Sequence, residues 1–118
     1  MIKRKDDIQI RAVKGAQGGK GEIYFHDWLT KDEAYGLGRV FSKLVIPPGS
    51  SIGVHQHLGE FEAFYVLSGQ ATVTDGNEVA VLNTGDMNLC REGDFHGVEN
   101  CTDEELVLLA LIMNVPGK

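Results

Sequence analysis

The chain alternates between short apolar runs and clusters of glycine, proline, asparagine and aspartate, and this pattern constrains its fold more than any other feature. Asp75-Gly76 separates two such runs, and this dipeptide favours a hairpin because glycine tolerates positive φ. Pro47-Pro48-Gly49 ends another run, since proline cannot donate a hydrogen bond to a sheet. Many short strands divided by turns are typical of an all-β sandwich or barrel.

The predicted strands follow these runs along most of the chain. Residues 105–113 are almost continuously apolar, so a helix competes there, but the dense strands before them favour a strand buried on both faces. The glycine-rich residues 15–21 match no phosphate-binding loop and are predicted to form a flexible loop. Residues 30–38 are predicted to form another loop, with room for one helical turn. The strands are predicted at residues 22–29, 39–46, 51–57, 61–67, 70–74, 78–82, 87–89 and 105–113.

Length and charge narrow the class of protein. With 118 residues, the chain is expected to form one domain around one core. No apolar run approaches the ~20 residues of a membrane span. No apolar segment follows the basic N-terminus either, so a cytoplasmic protein without a membrane partner is expected. The net charge is −6, and the basic residues 3–5 are followed at once by Asp6 and Asp7. Nucleic acid is therefore not expected as a partner.

Three of the four histidines and one glutamate have the spacing of a metal site. Side chains at i and i+2 of a strand point to the same face, so His55 and His57 would stand side by side, ~6–7 Å apart, and converge on one ion. Glu62 lies near the head of the next strand. His96 belongs to a later segment, which closes the site if the sheet folds over. Imidazole and carboxylate ligands suit a divalent transition metal.

The same period of two predicts the faces of residues 61–67. If Glu62 points inward, Phe64 and Val66 point inward as well. The intervening side chains then face the opposite side, and they are Ala63, Tyr65 and Leu67.

These residues resemble the two signature motifs of the cupin superfamily. The first family pattern is G-x5-H-x-H-x3,4-E-x6-G, and this chain matches it with four residues between His57 and Glu62. The second is G-x5-P-x-G-x2-H-x3-N, in which Arg91 replaces the proline. That position shapes a turn, so the departure leaves the ligand set intact. The matching positions are Gly49, His55, His57, Glu62 and Gly69 in the first motif and Gly85, Gly93, His96 and Asn100 in the second.

The resemblance implies an antiparallel double-stranded β-helix, or jelly-roll β-barrel, that spans residues 1–118 as a single cupin domain. Residues 49–100 would form the core of the metal motif. Small cupins resemble one another in pairing as homodimers, so residues 1–21 would be partly extended or exchanged between two copies. Outward apolar positions that suit such an interface are Tyr65, Leu67 and the segment 8–10.

Three imidazoles and one carboxylate leave about two positions open on an octahedral ion, which a small ligand with adjacent oxygens would fill. The resemblance brings in sugar-phosphate isomerases, decarboxylases of small acids such as oxalate, and dioxygenases. A small metalloenzyme acting on a small polar metabolite is therefore the leading hypothesis, and a non-catalytic, metal-dependent protein that binds or senses a small ligand is the alternative. An apolar cavity favours that alternative, and candidates for its lining are Phe64, Val66 and Val98. The implied cofactor is one divalent metal (Mn, Fe, Ni, Co, Cu or Zn) held by His55, His57, Glu62 and His96.

The metal, the substrate and the catalytic residue are not identified by the sequence. Glu62 is expected to be a ligand and is therefore a poor free base. His26 is expected at the surface, and Glu60 is expected to be a solvated charge in the bend beside the site. No G-x-S-x-G motif is present, which argues against nucleophilic acyl transfer. Candidates for an independent base, by residue type, are His26, Glu60, Tyr24, Tyr35 and Lys43.

The two cysteines, Cys90 and Cys101, have neither C-x-x-C nor zinc-finger spacing. Both are expected to be reduced thiols that pack as small apolar residues. Cys90 lies inside the second motif, where it would be sensitive to oxidation or touch a ligand if it lined the cavity.

Overall fold

The computed structural model describes residues 1–117, which are mainly β-structure with two short 3₁₀ turns. Within this range, none of the helical segments has the length and apolar character needed to span a membrane. The 3₁₀ turns are Lys5–Asp7 and Ala16–Gly18. The strands are β1 (Gln9–Lys14), β2 (Glu22–Asp27), β3 (Gly38–Ile46), β4 (Ser51–Gln56), β5 (Glu60–Ser68), β6 (Ala71–Asp75), β7 (Glu78–Leu82), β8 (Met87–Cys90), β9 (Phe95–Glu99) and β10 (Leu106–Asn114).

These strands form two sheets whose inner faces pack against each other. One sheet has six strands in the order β1-β2-β3-β10-β5-β8, and the other has four in the order β4-β9-β6-β7. All pairings between neighbouring strands are antiparallel. Strands of both sheets contribute side chains to one buried apolar cluster, and the fold is the all-β jelly roll that the sequence predicts. The cluster includes Leu44, Phe64 and Leu108 from the six-stranded sheet and Ile52, Val73 and Val98 from the four-stranded sheet.

Strand β5 alternates between the core and the outer face of the six-stranded sheet. Phe64 and Val66 are buried together with Glu62, whereas Tyr65 and Leu67 are exposed. This alternation is the period of two that a half-buried strand requires. The predicted orientation of this strand is confirmed, and it places the Glu62 carboxylate between the two sheets.

Strand β10 confirms the prediction of a strand over residues 105–113 and corrects its predicted burial. Leu106, Leu108 and Ala110 are buried, but the intervening Val107 and Leu109 are half-buried. The reason is the two-layer architecture, because the inner face of β10 meets the core and its outer face belongs to the outside of the six-stranded sheet. Although the run is almost continuously apolar, one face of β10 is buried in the core and the other is partly exposed to solvent.

Two strands of the structure are absent from the predicted set. Strand β1 is a sheet edge, and nearly all of its side chains are exposed, so it carries little apolar signal. Strand β9 contains His96 and Gly97, and a glycine weakens the strand pattern. Gly97 is required by a close approach, because a Cβ there would lie 3.0 Å from the backbone nitrogen of Val54 on the paired strand.

The glycine-rich residues 15–21 lie against β4 instead of forming the predicted free loop. The backbone nitrogen of Ser51 donates to the carbonyl of Lys20 over 2.9 Å, and the Lys20 nitrogen donates to Ser51 Oγ over 2.9 Å. A Cβ on Gly53 would lie 2.1 Å from the carbonyl oxygen of Gln17, so the two backbones are nearly in contact. The N-terminal segment is thereby held beside the first ligand strand.

We expect Val73→Ala to lower the free energy of unfolding by about 2 kcal/mol, because it removes two methyl groups from the core and leaves a cavity. Val81→Ala is the matched control, since Val73 is 2% exposed on β6 and Val81 is 54% exposed on the neighbouring β7. Urea unfolding followed by far-ultraviolet circular dichroism measures both. Equal losses in the two variants would contradict the placement of the core between the sheets.

Candidate metal centre

Three histidines and a glutamate from both sheets meet at one place in the sandwich. His55 on β4 lies directly opposite His96 on the paired β9, and His57 follows just after β4 ends. Glu62 comes from β5 of the other sheet. The sheet does fold over as the spacing of these residues requires, and all four predicted residues are brought together.

The ligand atoms of this cluster are very close to one another. The Nε2 atom of His57 lies 3.0 Å from that of His55 and 3.2 Å from that of His96. Oε1 of Glu62 lies 3.0 Å from Nε2 of His57 and 2.9 Å from Nε2 of His96. Its distance to Nε2 of His55 is longer, at 3.8 Å. One atom from each of the four residues falls within 4.8 Å of all the others.

Hydrogen bonds on the far side of each imidazole determine which nitrogen faces the cluster. Nδ1 of His55 is 2.7 Å from the carbonyl oxygen of Gly53, which can only accept, so this nitrogen carries the proton. Nδ1 of His96 is 2.8 Å from Oδ1 of Asn88, and Nδ1 of His57 is 3.4 Å from Oε1 of Glu60. These contacts leave Nε2 of each ring on the side of the centre, which is the arrangement of metal-binding histidines.

The donor set and its spacing fit a divalent transition metal. Three Nε2 lone pairs and a carboxylate oxygen that point at one another repel unless a cation or protons lie between them. Two ligands at right angles around an ion, each ~2.1 Å from it, would be ~3 Å apart, and this matches the short separations around His57. Imidazole with carboxylate suits several divalent ions, so the site is compatible with all six predicted metals.

The electrostatics of the cluster favour an ionised carboxylate. When protons on the imidazole nitrogens, and not a cation, lie between the ligand atoms, burial raises the pKa of Glu62, but hydrogen bonds from the three imidazoles outweigh it and hold that pKa far below its usual range. The hydrogen bond with Glu62 raises the pKa of His57, against the opposing effect of burial. A buried carboxylate whose pKa is lowered in this way is a group that a metal cation would neutralise.

Glu60 belongs to the surroundings of the cluster and is not the solvated loop charge that the sequence suggested. It begins β5, and its carboxylate accepts two-point hydrogen bonds from Arg39, with Nε 2.9 Å from Oε2 and Nη2 3.0 Å from Oε1. Burial would raise the pKa of Glu60, but the hydrogen bonds from Arg39 lower it. Glu60 therefore stays ionised beside Nδ1 of His57, where it orients that ring.

The other candidate bases do not reach the centre. Tyr24 on β2 donates to Glu22 over 2.7 Å, and Tyr35 is 90% exposed in the loop after β2. His26 is partly exposed and lies opposite Lys43 in the register of β2 with β3. None of these four residues lines the cavity beside the cluster.

A cavity of about 210 Å³ opens beside the cluster, and its lining differs from the predicted one. Phe64, Val66 and Val98 are buried in the core and do not line it. The prediction is wrong because an inward side chain on these strands meets the other sheet, and the Phe64 ring stacks on His96 at 4.9 Å between ring centres. Besides His55, His57 and Glu62, the lining consists of Arg11, Val13, Ala16, Gln17, Phe25, Arg39, Val40, Ile52 and Ile112.

Sequence reasoning also missed two kinds of residue around the centre. Arg11 and Arg39 reach the cavity through tertiary structure alone, because they lie far from the motifs in sequence. Asn88, which accepts from His96, left a weak signal: it is a polar residue at the inward position of a short strand between the exposed Met87 and Leu89. A buried polar residue needs a partner, so such a position deserves to be tested as a neighbour of the site.

The cysteines differ from each other. Cys90 is buried and its Sγ is 3.4 Å from the carbonyl oxygen of Asp94, as expected of a thiol that packs as a small apolar residue. Burial raises the pKa of this thiol to about 11, so it is protonated at neutral pH, and it does not line the cavity. Cys101 is exposed, which contradicts the expectation of a packed residue; neither thiol forms a disulfide.

Comparisons with known proteins agree with this architecture. The model of the cupin domain family matches residues 42–112. The "oxalate-binding protein" of Thermotoga maritima is 34% identical over 113 residues, which are 96% of this chain and 93% of that protein.

Solved structures show the same similarity. A crystal structure from Thermotoga maritima, described as a "predicted oxalate decarboxylase", is 33% identical, covers 98% of this chain and all of its own, and superposes with a TM-score of 0.91. An RmlC-like cupin from Shewanella frigidimarina, at 16% identity, supports the fold alone, with a TM-score of 0.71 over 98% of this chain and 91% of its own. The family model, the relative and the jelly roll agree, and the chain belongs to the cupin family as a small single-domain member.

Proposed function

We propose that this protein holds one divalent transition metal at His55, His57, Glu62 and His96 and uses it to bind a small metabolite through oxygen atoms, with oxalate as the leading ligand. The observation that carries this proposal is the convergence of three Nε2 lone pairs and a buried carboxylate beside a cavity. A metal bound there supplies a Lewis acid with positions open to ligand oxygens.

The size of the cavity supports a small ligand. Its volume of about 210 Å³ corresponds to the space of roughly seven water molecules in the liquid. The apolar side chains of Val40, Ile52 and Ile112 line it and would exclude water from a bound ligand. The relative named for oxalate binding points to a ligand of this size.

Decarboxylation of oxalate is the second candidate, because a structure similar over the whole chain is described as a predicted oxalate decarboxylase. Turnover would need a group that delivers or removes a proton. Among the described lining residues, the titratable side chains other than arginine are His55, His57 and Glu62, and all three belong to the cluster. Binding without turnover is therefore the function that the geometry supports best.

Truncation of a cluster residue tests the metal site directly. We expect His57→Ala to lower metal affinity at least 100-fold, because it removes the nitrogen that lies closest to the other ligand atoms. Elemental mass spectrometry of dialysed protein measures the metal content. Thermal unfolding with and without added metal should show a metal-dependent rise in the wild type and none in the variant.

Gln56→Ala is the matched control for this experiment. Gln56 lies between the two histidines, is exposed, and donates to the carbonyl of Gly93 over 2.8 Å. It should retain about one equivalent of metal. Full metal content in His57→Ala would show that His57 is not a ligand.

Titration with oxalate distinguishes binding from catalysis. We expect calorimetry to show saturable binding of oxalate to the metal-loaded protein and loss of that binding after the metal is removed with a chelator, because the ligand oxygens bind at the metal. Prolonged incubation should leave oxalate intact, with no formate or carbon dioxide formed. Formate production that requires the metal would establish the decarboxylase instead, and metal-loaded protein that ignores oxalate would contradict the proposed ligand.

We also propose that a second copy of the chain covers the outer face of the six-stranded sheet. Tyr65 on β5 lies opposite Met87 on β8, and Leu67 and Leu89 lie two residues away from them on the same strands. All four side chains are at least 38% exposed. Contiguous exposed apolar patches mark interaction surfaces, and a homodimer would bury this one. Strand β1 pairs with β2 of the same chain, so the exchange of residues 1–21 stays a prediction.

Light scattering in solution tests the homodimer. We expect twice the chain mass for the wild type and a monomer for Tyr65→Glu, because the new charge would be buried without a partner. Val81→Glu places the same charge on the exposed face of the other sheet and should remain dimeric. A wild-type monomer at micromolar concentration would contradict the interface.

A further inference from the structure

Two arginines line the cavity without belonging to the metal cluster. Arg11 comes from β1 and Arg39 from β3, and Glu62 is the acidic residue among the lining side chains. We propose that Arg11 and Arg39 select the ligand of this cavity and that the ligand class is a small dicarboxylate dianion. This inference rests on the proposed function, since the metal centre is taken as the other half of the binding site.

The guanidinium of Arg11 is held in a fixed position over the cavity wall. Its central carbon lies 4.6 Å from the ring centre of Phe25, which itself lines the cavity. Nε and Nη2 donate to the two carboxylate oxygens of Asp27. Within residues 1–117 Nη1 makes no hydrogen bond, so two N–H donors of this group are available to a ligand.

The guanidinium of Arg39 also lines the cavity and is also held by a carboxylate. Its Nε and Nη2 donate to Glu60, the residue that also faces Nδ1 of His57. Hydrogen bonds with Glu60, together with the charges of Glu60 and Glu62, raise the pKa of Arg39, which therefore remains charged at any pH of interest. Its Nη1 also has no acceptor in the described part of the chain.

This arrangement supplies N–H donors for one particular shape of ligand. Asp27 and Glu60 each offset the charge of one arginine, so the pairs contribute oriented donors more than net charge. A dicarboxylate offers one carboxylate to the metal centre and a second to these donors. Guanidinium groups recognise carboxylates through paired, charge-assisted hydrogen bonds, which an uncharged amide in the same place accepts less strongly.

The same two side chains also line a neighbouring depression. A second, outer depression of about 480 Å³ is lined by Lys3 and Lys31 and shares Arg11, Arg39 and Val40 with the metal cavity. The arginines therefore lie where the two spaces adjoin. The lining of the outer depression also includes Asp7, Asp27 and Glu33, and Lys3 pairs with Glu33. Its cations are therefore largely offset, and what the two arginines contribute here is oriented N–H donors.

Calorimetric titration of the metal-loaded full chain with oxalate and with oxamate tests the proposal. Oxamate has nearly the same shape but replaces one carboxylate with an amide. We expect the wild type to prefer oxalate, and we expect Arg11→Gln and Arg39→Gln each to weaken oxalate binding about 10-fold or more. Oxamate binding should change less, so the oxalate to oxamate affinity ratio should fall.

Lys14→Gln is the matched control, because it removes one positive charge from β1 at a residue that does not line the cavity. Its affinities for oxalate and oxamate, and the ratio between them, should equal those of the wild type. Arg39→Lys keeps the positive charge but loses the planar guanidinium, so its oxalate affinity should lie between those of the wild type and Arg39→Gln. This variant replaces Arg39→Gln in the test if the glutamine variant does not fold. Metal content and melting temperature are measured for each variant.

The outcomes separate this inference from the proposed function. Glutamine variants that keep full metal content and the wild-type oxalate to oxamate ratio would overturn the role of the arginines. A metal-loaded wild type that binds neither anion would overturn the dicarboxylate. Wild-type protein that takes up no metal, yet binds oxalate in a way that needs Arg11 and Arg39, would overturn the metal-dependent function and leave the arginine site standing.

Discussion

The convergence of three imidazole nitrogens and one carboxylate oxygen within 4.8 Å is the constraint on which the rest of this structure depends. His55 and His96 lie opposite each other on one sheet, and Glu62 comes from the other, so the atoms meet only when the two layers close. Lone pairs that face one another at this distance repel, and a cation among them turns that repulsion into ligation. A metal bound by this cluster would therefore couple its binding to folding, as in other proteins whose ligands come from separate elements.

Much of the fold could be predicted because side chains along a β-strand alternate between its two faces every second residue. The faces of β5 and the turn at Asp75 and Gly76 are local features, and the structure reproduces them. Strand β9 was hidden because His96 and Gly97 interrupt its apolar pattern. The burial of β10 was overestimated, because sequence pattern reports that a residue is apolar and not whether another layer covers it.

The candidate site likewise has a part that the sequence predicts and a part that it does not. The four residues of the cluster could be predicted because His55 and His57 have the spacing of a strand face and the two family motifs include Glu62 and His96. The cavity lining could not be predicted, because it depends on which distant elements adjoin. Residues 15–21 are held against β4 by the close approach of Gly53 to Gln17, and β1 brings Arg11 to the same cavity. An N-terminal segment that looked peripheral thus forms part of the wall, whereas the inward Phe64 became core under His96.

Anomalous diffraction from crystals of metal-replete protein, recorded on both sides of the absorption edge of the bound metal, tests the central claim most directly. The account predicts one strong peak among His55, His57, Glu62 and His96, ~2.0–2.3 Å from a ligand atom of each. The edge at which the peak appears would identify the metal. A site without a peak, or a metal held elsewhere in the chain while these four side chains keep their contacts with one another, would contradict the account.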